Sequence, residues 1–273
     1  MRWYVGMGMT ESLVDTPINR TKLPPSSSSA PIMAAVQPAA SLRAVTRNEP
    51  YPTTDNAQAT APSASLAATI AEARQLADAA GTLAELEAAV RAFDGCTLKK
   101  TAKNTVFCDG IATSGVMLVG EAPGADEDRE GIPFCGVSGR LLDSMLAAIG
   151  LVRAESFYIT NATFWRPPGN RTPNAEELAI CRPFVEKHIA LINPKLLILV
   201  GGTAASSLLE DTRGITRLRG KRYDYTNQYL TKPIETNVIF HPSYLLRQPL
   251  QKKQAWTDLL AIREYLDRNS PVD

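Results

Sequence analysis

The chain has 273 residues, of which 44% are hydrophobic, enough for one or two domains with a packed core. Its 29 basic and 28 acidic residues give a net charge of +1, which excludes a protein that holds nucleic acid or a membrane by bulk charge, so any such binding has to be local. No stretch approaches the roughly 20 consecutive apolar residues of a membrane helix. The four cysteines, too few for a disulfide scaffold and without a CxxC pair, are Cys96, Cys108, Cys135 and Cys181.

Residues 1–65 are predicted to be a disordered N-terminal extension. From Pro24 to Ser65 the residues are mostly Pro, Ser, Ala and Thr, and Tyr51 is the one aromatic residue, so this stretch cannot bury enough apolar area to offset the entropy of ordering it. The apolar patch at residues 3–9 is too short for a signal peptide. Two explanations stay open: an upstream start codon with Met9 as the true start, and an organellar transit peptide.

Residues 66–273 are predicted to form one α/β domain with a helical lead-in over residues 66–93. Thr82 followed by Glu85 is a capping-box pattern that starts the second of two lead-in helices. Apolar runs then predict strands at 116–120, 157–160, 195–200 and 238–240. Helical patterns lie between and after them, at 141–149, 176–192, 203–209 and 253–266. This alternation predicts three α/β/α layers around a central, largely parallel four-stranded sheet.

Polar residues follow three of the predicted strands, where an α/β sheet normally binds its ligand. Glu121 follows the first strand, Asn161 ends the second, and His241 ends the fourth. The acids at 121 and 126–128 would repel a phosphate, and no P-loop lysine is present. A solvated acidic turn explains residues 126–128 well, but it explains Glu121 poorly because Glu121 directly follows a strand.

The other two strand ends offer groups suited to a pyrimidine. The Asn161 amide presents a donor beside an acceptor, which matches the O4 and N3–H edge of uracil, although a turn-forming Asn is the alternative. Pro242 restricts the backbone of His241, whereas His188 falls inside a predicted helix and is expected to be structural. Leu245 and its neighbour Leu246 precede a cation, as in enzymes that push apolar wedges into a base stack. The alternative is that both leucines are core residues of a short helix.

The ordered motifs of residues 94–266 resemble those of family 4 uracil-DNA glycosylases. They are GEAPGxxED from 120, GxPFxGxSGRLL from 131, YITN from 158, RPPGNRTP from 166, CRPF from 181 and HPSYLLR from 241. The resemblance implies an α/β enzyme that flips uracil out of DNA and hydrolyses its N-glycosidic bond, leaving an abasic site.

The resemblance also implies roles for individual residues. Phe134 would stack on the flipped uracil, Asn161 would bind its polar edge, and His241 would donate a hydrogen bond to O2. Glu121 and Glu127 both correspond to positions that shape the pocket and orient water, and the sequence does not decide between them. Gly120 and Ala122 would line the uracil pocket. The residues expected to contact DNA are Arg166, Arg171, Arg219, Ser243, Leu245, Leu246 and Arg247, with a solvated basic turn as the alternative for the arginines.

One part of the family pattern is broken. Most members bind a four-iron–four-sulfur cluster through four cysteines, and the resemblance places the corresponding positions at Cys96, Lys99, Trp165 and Cys181. Since two of the four are not cysteines, we expect no cluster and no other cofactor, with Lys99 and Trp165 filling the space. Substitution of the missing ligands by Cys108 or Cys135 is the alternative.

Further expectations concern turnover, partners and location. A related subgroup traps uracil-DNA covalently and carries a His-bearing insertion after the YITN-like strand. Residues 163–173 have neither feature, so turnover is expected. The expected partner is uracil-containing DNA, and the protein is expected to be a bacterial, cytoplasmic, nucleoid-associated monomer. Two other functions stay open: a catalytically weak module that binds uracil or abasic DNA, and an enzyme of similar fold that acts on free nucleotides.

Overall fold

The structure is a computed structural model that describes residues 64–269, so the predicted extension lies almost entirely outside the described residues. The lead-in consists of helices α1 (Ala64–Ala79) and α2 (Leu83–Ala92). The predicted capping box at the start of α2 is confirmed: Thr82 Oγ1 accepts from the Glu85 N–H at 3.2 Å, and Glu85 Oε2 accepts from the Thr82 N–H at 3.1 Å.

The rest of the described chain alternates strands and helices around one sheet. The strands are β1 (Asp109–Gly110), β2 (Val116–Gly120), β3 (Tyr158–Asn161), β4 (Leu196–Val200), β5 (Arg222–Tyr225) and β6 (Ile234–Ile239). The helices after α2 are α3 (Ala125–Glu130), α4 (Val137–Ala147), α5 (Ala175–Ile192), α6 (Gly202–Leu209), α7 (Gly214–Leu218), α8 (Pro242–Arg247) and α9 (Lys252–Asn269). Short 3₁₀ turns lie at Thr97–Lys100, Pro168–Asn170 and Pro249–Gln251.

The predicted α/β/α architecture is confirmed, and the sheet has two strands more than the four predicted. Its order is β1-β3-β2-β4-β6-β5. The four central strands are parallel and are the four that the sequence predicted, whereas β1 and β5 add to the edges in antiparallel orientation. Every residue of β2 and β4 is buried, as expected for parallel strands that helices cover on both faces.

Two apolar cores lie on opposite faces of the sheet. One packs α1, α2, α5 and α6 against it, and the other packs α4, α8 and α9. None of the helices within residues 64–269 has the length and apolar character that crossing a membrane requires. The parallel central strands all point their carboxyl ends toward one edge, which sets the place of the candidate site.

The long loop between β3 and α5 is fixed at its far end by a second capping box. Asn174 Oδ1 accepts from the Glu177 N–H at 2.8 Å, and Glu177 Oε2 accepts from the Asn174 N–H at 2.9 Å. Arg171 donates two further bonds to the same carboxylate, at 2.6 and 2.8 Å. Hydrogen bonding from Arg171 is the main reason why the pKa of the buried Glu177 is lowered. The buried carboxylate therefore holds this loop against the start of α5.

Candidate active site

The three predicted strand ends meet in one cavity of about 290 Å³. Residues from the ends of β2, β3 and β6 form its floor, and the loop after β3 forms one wall. The lining residues are Glu121, Ala122, Pro123, Gly124, Glu127, Phe134, Ser138, Asn161, Pro167, Asn170, Arg171, His241, Ser243 and Arg247. The cavity thus brings together most residues to which the sequence assigned a role, although they are far apart along the chain.

Asn161 offers an unused amide to this cavity. Its side chain is 1% exposed, and neither Oδ1 nor Nδ2 has a hydrogen-bond partner in the described part of the chain. A buried polar group without a partner costs free energy, so such groups are rare and call for an explanation. Because Asn161 lines the cavity, a bound ligand is the natural partner for both of its atoms.

Gly120 makes room for the two groups that face each other here. It lies beside Asn161 in the register of β2 and β3. A Cβ at position 120 would lie 2.3 Å from Phe134 Cζ and 2.5 Å from Asn161 Oδ1, closer than real Cβ contacts. Any larger residue would therefore displace the aromatic ring or the amide.

Phe134 is held in a strained backbone conformation. Its φ is 53°, in the left-handed region that residues other than glycine seldom adopt. Gly139 permits the close approach, since a Cβ there would lie 1.6 Å from the Phe134 carbonyl oxygen. Arg153 donates to the carbonyls of Pro133 and Phe134 at 3.0 and 3.1 Å and also pairs with Asp143. Sequence analysis did not identify Arg153, because no local motif marks a residue that supports a turn about 20 positions away.

His241 is held as a neutral hydrogen-bond donor. Burial, with a smaller contribution from Arg247, lowers its pKa to about 4. The side chain caps α8: Nδ1 accepts from the Ser243 N–H at 3.2 Å and lies 2.8 Å from Ser243 Oγ. Since Nδ1 accepts a hydrogen bond, the single proton of the neutral ring belongs on Nε2.

The two candidate carboxylates differ in how their oxygens are used. Both oxygens of Glu127 accept backbone hydrogen bonds, from Gly124 N–H at 3.0 Å and Gly136 N–H at 2.9 Å. Glu121 Oε2 accepts from the Thr203 hydroxyl at 2.6 Å, and within residues 64–269 no hydrogen bond reaches its other oxygen. Glu127 is therefore a clamp between two turns, and Glu121 keeps one oxygen available.

The acidic turn after Glu121 is only partly solvated. Asp128 is 7% exposed, and its Oδ1 accepts from the backbone N–H groups of Lys103 and Asn104 at 2.8 and 3.1 Å. The expectation of a solvated turn is therefore wrong for Asp128, which ties α3 to the segment before β1.

Two residues predicted to contact DNA lie elsewhere. Leu245 is fully buried in the core under α8, whereas Leu246 is 43% exposed. Arg219 forms an ion pair with the buried Asp258, lies over the ring of Phe240 and is only 14% exposed. The burial of Leu245 agrees with the core alternative, and the ion pair of Arg219 gives its predicted DNA contact no support.

The remaining predicted DNA contacts lie at or near the cavity. Arg171, Ser243 and Arg247 line it. Arg166 is close by on the loop after β3 and donates to Asn170 Oδ1 at 2.6 Å. The cavity lining thus combines the arginines Arg171 and Arg247 with the carboxylates of Glu121 and Glu127.

Fold and site together define an α/β protein with a buried, amide-lined cavity at the carboxyl ends of four parallel strands. A family model described as the uracil DNA glycosylase superfamily matches residues 108–260, and the chain belongs to this superfamily. It is 36% identical over 181 residues to a type-4 uracil-DNA glycosylase of Pyrobaculum aerophilum. The matched region covers 65% of this chain and 91% of that protein. The chain is 40% identical over 159 residues to the type-4 enzyme of Thermotoga maritima, covering 58% of this chain and 80% of that protein.

The residues at the family's four cluster-ligand positions do not suit an iron–sulfur cluster. Cys96 and Cys181 are buried and hydrogen bonded to each other, which lowers the pKa of Cys96 and raises that of Cys181. Lys99 and Trp165 stand at the other two positions and supply no thiolate. Among residues 64–269, no group of three or more His, Cys, Asp or Glu side chains could hold a metal ion.

Proposed function

We propose that this protein is a uracil-DNA glycosylase that removes uracil from DNA and leaves an abasic site. The single observation that carries the proposal is the unpartnered Asn161 amide, buried in the cavity beside Phe134. A side-by-side donor and acceptor complement the O4 and N3–H edge of uracil, and the aromatic ring offers a stacking face. The relatives in Pyrobaculum aerophilum and Thermotoga maritima carry the same activity in their names.

In the proposed reaction the C1′–N1 bond breaks and its electron pair stays with uracil, while a water oxygen bonds to C1′. The Nε2–H of His241 donates to O2 of the departing base, where negative charge develops. Removing a fixed donor of this kind typically costs about 3–4 kcal/mol of transition-state stabilisation. A neutral imidazole suits the role because its pKa of about 4 leaves Nε2–H unchanged across the physiological pH range.

Glu121 is the carboxylate that we propose orients the water and takes up its proton. Its free oxygen is the supporting observation, because the carboxylate of Glu127 already accepts one hydrogen bond at each oxygen. A negative carboxylate beside C1′ also stabilises the positive charge that develops on the sugar. Glu127 then acts by holding the two turns that shape the pocket.

The proposed DNA surface surrounds the mouth of the cavity. Arg166 and Arg247 supply local positive charge for phosphates, whereas the guanidinium of Arg171 is paired with Glu177. Leu246 is the exposed leucine of α8 and is suited to fill the gap that the flipped base leaves in the duplex. The occupied guanidinium of Arg219 is not part of this surface.

The protein is further proposed to work without an iron–sulfur cluster, because only two of the four ligand positions hold a thiol. The test is the iron content and the visible spectrum of protein purified without oxygen. We expect no stoichiometric iron and no absorbance band near about 400 nm. Iron bound at about four atoms per chain would overturn this proposal and favour a substitute ligand such as Cys108.

A cleavage assay tests the glycosylase proposal. The protein is incubated with an end-labelled oligonucleotide holding one uracil and then treated with alkali, which breaks the strand at abasic sites. The matched control is the same oligonucleotide with thymine. We expect scission at uracil only. A shifted but uncleaved band would indicate a binding module, and an unshifted, intact strand would contradict both functions.

A further inference from the structure

Thr203 lies behind Glu121, outside the cavity lining, and contacts its carboxylate directly. The Thr203 hydroxyl donates to Glu121 Oε2 at 2.6 Å, and the residue is partly buried. A hydrogen bond to an ionised acceptor is shorter and stronger than one between neutral groups. The two residues are 82 positions apart in the chain, so no sequence motif connects them.

The backbone holds both partners of this hydrogen bond in place. Glu121 directly follows β2, and Thr203 is the second residue of α6, which begins just after β4. These strands are parallel neighbours in the sheet, so their ends lie side by side. Gly201, whose φ is 100°, makes the sharp turn that brings the first turn of α6 to this point. The hydrogen bond therefore joins two rigid elements.

As a consequence, the two carboxylate oxygens of Glu121 have different roles. A glutamate side chain on a turn has several rotamers, and one fixed oxygen selects among them. With Oε2 anchored, rotation of the carboxylate is restricted, while the other oxygen stays available to the cavity that Glu121 lines. Glu127 shows the contrast, because both of its oxygens are anchored.

We infer that Thr203 is a positioning residue: its hydroxyl holds the Glu121 carboxylate in the orientation that directs the hydrolytic water at C1′. This inference rests on the proposed glycosylase function. It assigns no contact with DNA to Thr203, so substitutions there are expected to change the rate of bond cleavage and leave substrate affinity unchanged.

The test compares Thr203→Val, which keeps the shape and removes the hydroxyl, with Thr203→Ser, which keeps the hydroxyl. Single-turnover excision by Thr203→Val is expected to be slower by about tenfold, with the Kd for uracil-DNA unchanged. Thr203→Ser is expected to stay within about twofold of the unmodified protein. Thr257→Val, on the exposed side of α9, is the control for a general effect of this substitution.

A second background separates positioning from a structural effect. In Glu121→Gln protein, adding Thr203→Val is expected to cause little further loss, because the two residues act as a unit. Equal slowing in both backgrounds would overturn the inference, as would an unslowed Thr203→Val. Thr203→Ala provides the same test if valine disturbs folding, as judged from Tm. No excision by the unmodified protein would overturn the proposed function together with this inference; excision that ignores the Thr203 hydroxyl overturns the inference alone.

Discussion

At the scale of single residues, Asn161 carries a conflict between stability and recognition. Its amide is buried without a partner, which typically costs about 1–3 kcal/mol. We predict that Asn161→Ala lowers uracil excision at least about 100-fold, since a site built to hydrogen bond its substrate depends strongly on those bonds. The same variant should unfold at an unchanged or higher Tm, measured by differential scanning calorimetry.

Asn237 provides the matched control for this prediction. It is a buried asparagine on the parallel strand β6, its Nδ2 also lacks a partner among the described residues, and it does not line the cavity. Asn237→Ala should leave excision unchanged. Wild-type excision by Asn161→Ala, or equal losses in the two variants, would contradict the assignment of the uracil edge to Asn161.

Residue by residue, the sequence predicted the cavity better than its surroundings. Residues at strand ends, such as Glu121 and Asn161, could be placed because parallel strands share one edge. Leu245 could not be separated from Leu246, because neighbours on a short helix differ by about 100° in direction and the sequence does not say which one faces the core. The ion pair of Arg219 was not predicted because its partner, Asp258, lies 39 positions further along the chain.

At the scale of elements, Lys99 connects the 3₁₀ turn Thr97–Lys100 to the end of α2. The Lys99 ammonium donates to the Arg91 and Phe93 carbonyls at 2.6 and 3.0 Å and to Asp94 at 2.7 Å. It thereby satisfies carbonyls at the end of α2, where positive charge also suits the helix dipole. Trp165 is 1% exposed and donates to Thr105 Oγ1 at 3.0 Å, which ties the loop after β3 to the same region.

We predict that Lys99→Met lowers the free energy of unfolding by about 1–2 kcal/mol, because the helix-end carbonyls lose a charged donor. Urea denaturation measures this change. Lys100→Met is the control, because Lys100 is the exposed neighbour on the same 3₁₀ turn, and it should unfold as the unmodified protein does. If an iron chelator destabilises the protein and Lys99→Met does not, the hydrogen bonds of Lys99 do not take the place of a cluster.

The edge strands show which elements a sequence pattern misses. The central strands were found because strands buried on both faces are continuous apolar runs. β5 reads Arg-Tyr-Asp-Tyr and is mostly exposed, and β1 has only two residues. Such strands form because a neighbouring edge offers unpaired backbone groups, which is a property of the assembled sheet and leaves little trace in the local sequence.

At the scale of the whole molecule, both histidines of the chain are neutral in the folded state. Burial lowers the pKa of His188 to about 3, and burial with Arg247 lowers that of His241 to about 4. His188 is fully buried, stacks on Phe107 at 4.4 Å, and its Nε2 lies 2.8 Å from the Tyr158 hydroxyl. His188 lies in the core and His241 lines the active-site cavity, and protonation of either imidazole lowers global stability.

The direction in which pH changes the free energy of unfolding follows from whether the folded or the unfolded chain binds more protons. The unfolded chain takes up protons on both imidazoles near the usual histidine pKa of 6.5, whereas the folded chain does so only near 3 to 4. Acid therefore favours the unfolded state. The stabilisation is complete above pH 6.5 and is lost as the pH falls toward the folded-state pKa values, at roughly 1.4 kcal/mol per pH unit for each histidine.

We predict that His188→Gln removes one of these two contributions without touching the cavity. Glutamine can still accept a hydrogen bond from the Tyr158 hydroxyl, and it does not titrate. Between pH 7.5 and 5, its loss of unfolding free energy should be about 2 kcal/mol smaller than that of the unmodified protein, as measured by urea denaturation at each pH. His241→Gln should reduce the acid sensitivity by a similar amount but should also slow excision, whereas His188→Gln should excise uracil normally at pH 7.5. An unchanged pH dependence in His188→Gln would show that the imidazole has the same pKa in the folded and unfolded states, and it would contradict this prediction.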